Sequence, residues 1–212
     1  MGLLRLLICA GAGALTVAAG EVLNYSFDRE DAPSLSPAYV AEHLNAGDMR
    51  GQEATIQTTG EFPDFGVVVY DFTSGRNGFA FDVVVDEGYQ LLLTGYSLVI
   101  SGNPSLVGGP DGWLLTYVDR GEAHYLAEGQ ATQSFIENTG SLASQRLGGE
   151  VTFLLTGTGA LPVELGALGI SDLTLRGEVT AIPEPANLLL LTLGGALLVG
   201  SGGLRRRTKG RP

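Results

Sequence analysis

Residues 78–85 read Gly-Phe-Ala-Phe-Asp-Val-Val-Val, and this stretch decides the fold. From Phe79 to Val85 every second residue is Phe or Val, while Asp82 falls on the opposite face of an extended chain. Alternation of this kind has the period of a half-buried β-strand and differs from the period of a helix. The stretch therefore predicts a strand that turns one face toward a hydrophobic core.

Short apolar or alternating runs recur on both sides of this stretch, separated by clusters of Gly, Asn, Asp and Pro. The chain has 32 Gly in 212 residues, which is typical of a turn-rich β protein. About nine strands at this spacing predict an all-β fold, an antiparallel β-sandwich. A helix is expected only at residues 36–46, where Pro37 stands near the start. The predicted strands are residues 22–27, 54–58, 66–72, 78–85, 89–100, 113–118, 124–127, 151–156 and 170–180.

Charge is unevenly distributed along the chain. Between Glu21 and Ile182 there are six Arg, no Lys and 22 Asp or Glu, so this body carries a net charge of about −16. An anionic body repels phosphate backbones, which argues against nucleic-acid binding. The excess of carboxylates either serves solubility alone or attracts divalent cations.

The first twenty residues are typical of a secretory signal peptide. Arg5 precedes an apolar run that ends in small residues suited to signal peptidase, which places the mature start near Gly20 or Glu21. The alternative is an ordinary N-terminal helix. The single cysteine, Cys9, lies inside this run, so the exported chain is expected to hold no thiol and no disulfide.

The C-terminus predicts a membrane span followed by a cluster of positive charge. Residues 188–204 are 17 uncharged residues, and a helix of this length spans about 25 Å, the lower limit for crossing a bilayer. Arg205, Arg206 and Arg207 follow at once and begin a basic tail of residues 205–211. The positive-inside rule places this tail in the cytoplasm and the acidic body across the membrane.

Pro183, Glu184 and Pro185 stand just before the span. The two prolines hold the backbone extended, and an extended segment at the membrane surface suits the cleft of a protease. Motif, apolar helix and arginine cluster, in this order over residues 182–212, resemble a PEP-CTERM sorting domain. The resemblance implies processing by exosortase, a membrane protease of Gram-negative-type bacteria, which would release the body or transfer it to the cell surface. The alternative is a plain tail anchor with an incidental Pro-Glu-Pro.

Three segments of the body resemble the jelly-roll sandwiches that often precede such tails. Residues 23–28, 88–94 and 170–177 are similar to the first, a central and the closing strand of those domains. The resemblance implies a jelly-roll-like β-sandwich over residues 21–181, and it implies no activity.

No catalytic constellation is visible in the sequence. There are two histidines, His43 and His124, with no G-x-S-x-G elbow and no H-E-x-x-H helix. Residues 107–112, Val-Gly-Gly-Pro-Asp-Gly, lack the Lys and the following helix of a P-loop, so they are predicted to form turns. Hydrolysis by paired carboxylates stays open because 22 acidic residues offer many pairs.

A structural calcium ion is one ligand hypothesis. Hard cations bind oxygen, and Asp28, Glu30 and Asp31 cluster just after the first predicted strand, whereas Asp172 lies in the last. If the first and last strands pair, these carboxylates could converge. The alternative is that they are solvated loop carboxylates.

A carbohydrate is the other ligand hypothesis. Sugars stack on exposed aromatic rings, and Trp113, Tyr117 and Tyr125 are the candidates. Trp113 and Tyr117 alternate in phase with Leu115, however, and this phase suits packing in the core equally well.

Together these observations predict an exported, non-catalytic surface or matrix protein, first anchored in the inner membrane and then delivered by exosortase to the cell surface or beyond. Its expected partners are signal peptidase, exosortase and the membrane, in a host that makes extracellular polysaccharide. The alternative function is a carbohydrate-binding module for that polysaccharide, and a secreted hydrolase is a third.

Overall fold

The computed structural model describes residues 19–27, 34–53, 55–61, 64–69, 78–102, 110–132, 134–159 and 167–182, without the side chains of residues 57–61 and 64–69. These ranges form two antiparallel β-sheets, which confirms the predicted all-β sandwich. The strands are β1 (Gly20–Ser26), β2 (Tyr39–Val40), β3 (Leu44–Ala46), β4 (Arg50–Gln52), β5 (Ile56–Glu61), β6 (Asp64–Val69), β7 (Gly78–Val85), β8 (Tyr89–Gly102), β9 (Gly112–Asp119), β10 (Glu122–Gln130), β11 (Ile136–Leu147), β12 (Gly149–Thr158) and β13 (Leu168–Ala181).

Each sheet mixes strands from distant parts of the sequence. Sheet A has the order β11-β8-β13-β1-β2, with β6 paired to β13 and β5 to β6. Sheet B has the order β10-β9-β12-β7-β3, with β4 also paired to β7. The sandwich core lies between the inner faces of the two sheets.

Residues 78–85, whose alternation predicted a half-buried strand, form β7, so this prediction is confirmed. Phe79, Phe81, Val83 and Val85 are all buried. The Phe81 ring stacks on Phe153 of the neighbouring strand β12, with ring centroids 5.1 Å apart and planes 7° apart. This pair lies in the apolar interior, whose burial provides most of the driving force for folding.

The helix expected at residues 36–46 is wrong. These residues form β2, a turn and β3 instead. Val40 pairs with Leu23 in sheet A, and Leu44 pairs with Val85 in sheet B. The segment therefore bridges both sheets, and pairing with two existing strands outweighs a weak local preference for helix.

The strand directions define two poles of the sandwich. At one pole, β7 ends and β12 begins, because Gly149 pairs with Val85. The turn after β7 leads into the start of β8, where Tyr89 pairs with Ala181 near the end of β13. We call this the exit pole. At the other, the far pole, β12 ends where Thr158 pairs with Gly112. The ten residues of β12 separate the two poles by about 30 Å.

The predicted export signals fall almost wholly outside the described ranges. Of the signal peptide predicted at residues 1–20, only residues 19 and 20 are described, and Gly20 begins β1. The motif at 183–185, the span at 188–204 and the basic tail are not described. Within the described ranges, no helix has the length and apolar character needed to cross a bilayer. The last described residue, Ile182, is half exposed, and its backbone N–H donates to the Gly88 carbonyl at 2.7 Å.

Candidate functional site

Of the three aromatic side chains proposed for carbohydrate stacking, two are core residues and the third, Tyr125, is 60% exposed. Trp113 is 1% exposed and Tyr117 is 6% exposed. The Trp113 ring meets Tyr96 edge-on with centroids 5.7 Å apart, and Tyr117 packs between Phe153 and His124. Neither ring turns a face to solvent. This burial corrects the hypothesis that they form an exposed stacking surface, because the phase shared with Leu115 directs all three side chains inward.

The predicted calcium ligands are only partly described. The first and last strands do pair, and Ser26 lies opposite Asp172. The Asp172 carboxylate accepts hydrogen bonds from Asn24 Nδ2, at 3.3 and 3.4 Å, and from Thr174 Oγ1, at 3.2 Å. Asp28, Glu30 and Asp31 lie outside the described residues, so convergence on an ion stays a prediction. Among the described residues, no group of three or more His, Cys, Asp or Glu is placed to hold a metal ion.

The sorting motif Pro183, Glu184 and Pro185 and the cluster Arg205, Arg206 and Arg207 also lie outside the described residues. Their roles therefore stay predictions. The sandwich ends close to the motif, because the last strand, β13, ends at Ala181, two residues before Pro183.

A recess of about 510 Å³ opens at the far pole of sheet B. It lies where β9 begins and where β10 and β12 end. Its volume falls in the range of small-molecule sites. The described residues that line it are Asp111, Gly112, Trp113, Glu128, Gly129, Gln130 and Thr158. We call this the Trp113 recess.

Backbone contacts hold Asp111 between two strand ends. Its N–H donates to the Thr158 carbonyl at 3.2 Å, and its carbonyl accepts from the Ala131 N–H at 3.0 Å. Gly159 has φ +75°, and a Cβ there would lie 1.5 Å from Asp111 Oδ1. The Asp111 carboxylate therefore lies over the glycine, and any side chain at position 159 would displace it.

Gly129 has a similar relation to the indole of Trp113, its partner in the β9–β10 ladder. A Cβ on Gly129 would lie 2.7 Å from Cε2 and Cζ2 of the indole and 2.8 Å from Nε1. The nitrogen-bearing edge of the ring therefore occupies the space that a side chain at position 129 would take. The indole therefore covers the inner side of Gly129, in the phase that Trp113 shares with Leu115. Gln130 and Thr158 both pair with Gly112, so their side chains fall in the opposite, outward phase.

The indole N–H of Trp113 is buried, and among the described residues Nε1 has no hydrogen-bond acceptor. A buried donor left unpaired costs about 1–3 kcal/mol of stability. Nε1 is itself inaccessible, so this unpaired donor belongs to the core of the sandwich.

The remaining polar groups of the recess are mostly acceptors. Asp111 and Glu128 contribute carboxylates, while Gln130 and Thr158 contribute an amide and a hydroxyl. A ligand that suits both the carboxylates and the amide N–H donors of this lining must donate and accept hydrogen bonds. A hydroxyl group does both.

Sequence reasoning identified one residue of this recess, Trp113, and assigned it the wrong geometry. Asp111 and Gly112 were predicted only as turn residues, and Glu128, Gln130 and Thr158 carried no signal. These residues come together through the pairing of β9 with both β10 and β12. The Gly-Pro-Asp-Gly sequence just before Trp113 was the available hint, because it marks where the strand begins.

Comparisons with known proteins show no family for this chain. No family model matches the chain, and no curated protein matches it significantly. Among solved structures it is similar to the CBM22-1 xylan-binding domain of Xyn10C from Paenibacillus barcinonensis, with 15% identity, a TM-score of 0.45, and coverage of 76% of this chain and 96% of that one.

Two further solved structures show the same level of similarity. The family 29 carbohydrate-binding module CBM29_1 from Piromyces equi has 11% identity and a TM-score of 0.42, over 75% of this chain and 91% of that one. The xylan-binding module CBM15 has 13% identity and a TM-score of 0.41, over 63% of this chain and 95% of that one. Likeness at this level carries no inference about a ligand, so the function must be argued from the recess itself.

Proposed function

We propose that the chain is an exported, non-catalytic module that binds polysaccharide in the Trp113 recess. One observation carries the proposal: a recess of about 510 Å³ whose described lining offers carboxylate, amide and hydroxyl groups. Sugar hydroxyls donate to carboxylates and accept from amide N–H groups, so a saccharide satisfies both kinds of group at once.

The recess favours binding over hydrolysis. Cleavage of a glycosidic bond uses two carboxyl groups, one of which an apolar pocket keeps protonated. Asp111 and Glu128 are both exposed instead. The described lining residues include no His, Cys or Ser that could act as a base or nucleophile.

The test uses the full-length chain in detergent micelles and native gels that contain a soluble neutral polysaccharide, with xylan, mannan, dextran and hydroxyethyl cellulose run separately. At least one is expected to retard the chain. Gln130→Ala removes an exposed amide that lines the recess, so affinity is expected to fall about threefold to tenfold, the value of one hydrogen bond.

Tyr39→Ala is the matched control. Tyr39 is 46% exposed and lines a different recess with Glu21, at the β1–β2 edge of sheet A. Its removal is expected to leave retardation unchanged. Loss of binding in Tyr39→Ala, with Gln130→Ala unaffected, would move the site to sheet A. Absence of retardation by every polysaccharide would overturn the proposed function.

We propose further that the tail directs export, because an ordered sequence pattern favours it: a Pro-Glu-Pro motif, an uncharged span and an arginine cluster directly after β13. Processing by exosortase would then detach the body from an inner-membrane precursor and deliver it to the cell surface. Replacing Pro183 and Pro185 by Ala keeps the span and the arginines, so the unprocessed precursor is expected to accumulate in the inner membrane. Surface delivery at the normal level, by cell fractionation, would contradict this role for the motif.

A further inference from the structure

The last residues of β13 are paired on one side only. Strand β1, which runs along β13, begins at Gly20 opposite Gly177. From Glu178 to Ala181, β13 therefore pairs with β8 alone among the described residues. We call residues 178–182 the exit strap. A segment held on one side opens more readily than a strand inside a sheet, because fewer contacts must be broken.

The turn of residues 86–88, between β7 and β8, holds the end of the exit strap. The Ile182 N–H donates to the Gly88 carbonyl at 2.7 Å, one step beyond the last ladder pair of β8 and β13. The backbone is therefore fixed up to the residue that precedes Pro183. We call residues 86–88 the exit turn.

The exit turn is braced from a distant part of the sequence. Gly88 has φ +84°, and the Tyr89 N–H closes the turn by donating to the Asp86 carbonyl at 3.1 Å. The His43 ring, from the turn between β2 and β3, stacks on Tyr89 with centroids 3.7 Å apart. The His43 carbonyl accepts from the Asp86 N–H at 3.0 Å. The turn that holds Ile182 thus belongs to the rigid part of the sandwich.

A protease competes with this arrangement for the same backbone groups. It binds its substrate as an extended chain, whose main-chain N–H and C=O groups form hydrogen bonds in the cleft. In the exit strap those groups are already bonded to β8 and to Gly88. Cleavage near the motif then proceeds from a form in which the strap has lifted, and its rate follows the population of that form.

We infer that the exit strap is an autoinhibitory contact, which keeps the sorting motif out of the cleft of the processing protease until the strap lifts from the exit turn. This inference rests on the proposed role of the tail in export, since it adds regulation to the same processing step. The competing arrangement is a strap that presents the motif to the protease. The two differ in sign, because loosening the strap speeds processing in the first and slows it in the second.

The experiment follows processing of the full-length precursor in the producing cells by pulse labelling. Gly88→Ala loosens the exit turn, because an L-residue is strained at φ +84° although its Cβ would meet no atom within 4 Å. Lifting the strap lets the strained turn relax, so we expect the precursor to be processed about threefold faster or more. Amide exchange at Ile182, measured on the purified chain in detergent micelles, should quicken by a similar factor.

Gly121→Ala is the matched control. Gly121 has φ +85°, and its Cβ would also meet no atom within 4 Å, so the substitution introduces the same backbone strain. It lies at the same pole but in the turn between β9 and β10 of sheet B, whereas the exit strap belongs to sheet A. Its processing rate and its Ile182 exchange are expected to stay within about twofold of the wild type.

A second variant locks the strap instead of loosening it. Gln90 and Thr180 are opposite each other in the ladder, and Gln90 Nε2 donates to Thr180 Oγ1 at 3.2 Å. Opposed residues of antiparallel strands have Cα atoms about 4.5–5.5 Å apart, which suits a disulfide. Gln90→Cys with Thr180→Cys should therefore stop processing after oxidation, and a reductant should restore it. The variant with Thr180→Cys alone should be processed normally.

The other outcomes overturn the inference in distinguishable ways. Slower processing of Gly88→Ala, with Gly121→Ala unaffected, would overturn it in favour of presentation of the motif. Wild-type processing rates in Gly88→Ala and in the oxidised double-cysteine variant would overturn it while the role of the tail in export stands. A wild-type chain that keeps its C-terminus intact in the producing cells would overturn the export role and the inference together.

Discussion

Two polar regions of sheet B differ in how completely their hydrogen bonds are satisfied. Around Asp82, on β7, the carboxylate accepts two hydrogen bonds from the Arg50 guanidinium, at 2.6 and 3.0 Å, and one from Thr152 Oγ1 at 2.6 Å. The paired guanidinium holds the pKa of Asp82 below its usual value. At Trp113, on β9, a more deeply buried donor has no partner among the described residues.

The difference separates polar groups that stabilise the fold from a polar group that weakens it. The cluster of Asp82, Arg50 and Thr152 links β7 to β12 and β4 through hydrogen bonds. The Trp113 N–H was removed from water without gaining an acceptor from the described residues. Removing a polar group should therefore change stability in opposite directions at the two places.

The largest effect is expected where the recess meets the core. Trp113→Ala removes an almost fully buried indole and leaves a cavity, so the free energy of unfolding should fall by about 3–5 kcal/mol. Urea denaturation of the detergent-solubilised chain measures it. Tyr125→Ala on the adjacent strand β10, where the side chain is 60% exposed, is the control and should change stability by less than about 0.5 kcal/mol. Similar losses in both variants would contradict the packing described for Trp113.

Gly129→Ala tests the close approach between the recess wall and the indole. The added methyl group would lie 2.7 Å from a ring that the core holds in place, and such overpacking costs about 1–3 kcal/mol. Gly148→Ala is the matched control, because the nearest atom to its Cβ is 4.0 Å away and its φ is not positive. Equal thermal midpoints for the two variants would show that the indole moves aside freely. The core would then not hold the Trp113 ring in place, and the contrast with the hydrogen-bonded Asp82 cluster would fail.

Asp82→Asn addresses the satisfied region and predicts a pH effect. The native pKa of Asp82 lies below the unfolded value of about 3.9, so its contribution is present above about pH 4 and is lost as the pH falls through the native pKa. Because both side chains are partly exposed, at 48% for Arg50 and 32% for Asp82, we expect only about 0.5–1 kcal/mol at pH 7. Urea midpoints from pH 7 to pH 2 should converge for the variant and the wild type. A constant gap at all pH values would contradict the ionic origin.

The smallest stability effect should come from Trp113→Phe. The lost ring volume destabilises the core, but removal of an unpaired buried donor offsets this by about 1–3 kcal/mol, so the net change should lie within about 1 kcal/mol. A loss of stability as large as that of Trp113→Ala would show that the N–H already has a partner, and the contrast with Asp82 would disappear.

The fold could be predicted from sequence wherever a strand has one buried face. The alternation from Phe79 to Val85 and the closing alternation around Leu173 and Leu175 were both confirmed, because all of these apolar side chains are buried. The strand β11 was missed. It is an edge strand whose side chains are largely exposed, so its sequence of Asn, Thr, Ser and Gln carries no apolar period.

The recess could not be predicted for a different reason. Its residues come from the start of one strand and the ends of two others, and only the pairing register brings Thr158 beside Gly112 and Gly129 beside Trp113. An unpaired N–H is a property of three-dimensional surroundings and leaves no trace in a residue pattern. The sorting tail is the opposite case, because its motif, span and arginine cluster follow one another in the sequence and can be recognised without a structure.

The distance between the end of β13 and the recess has a practical consequence. Ala181 lies at the exit pole, and the Trp113 recess lies at the far pole, about 30 Å away along β12. A molecule held by its C-terminal end, on a cell envelope or on a sensor chip, therefore presents the recess outward with the full height of the sandwich beneath it. Long glycan chains can then reach it without touching the support.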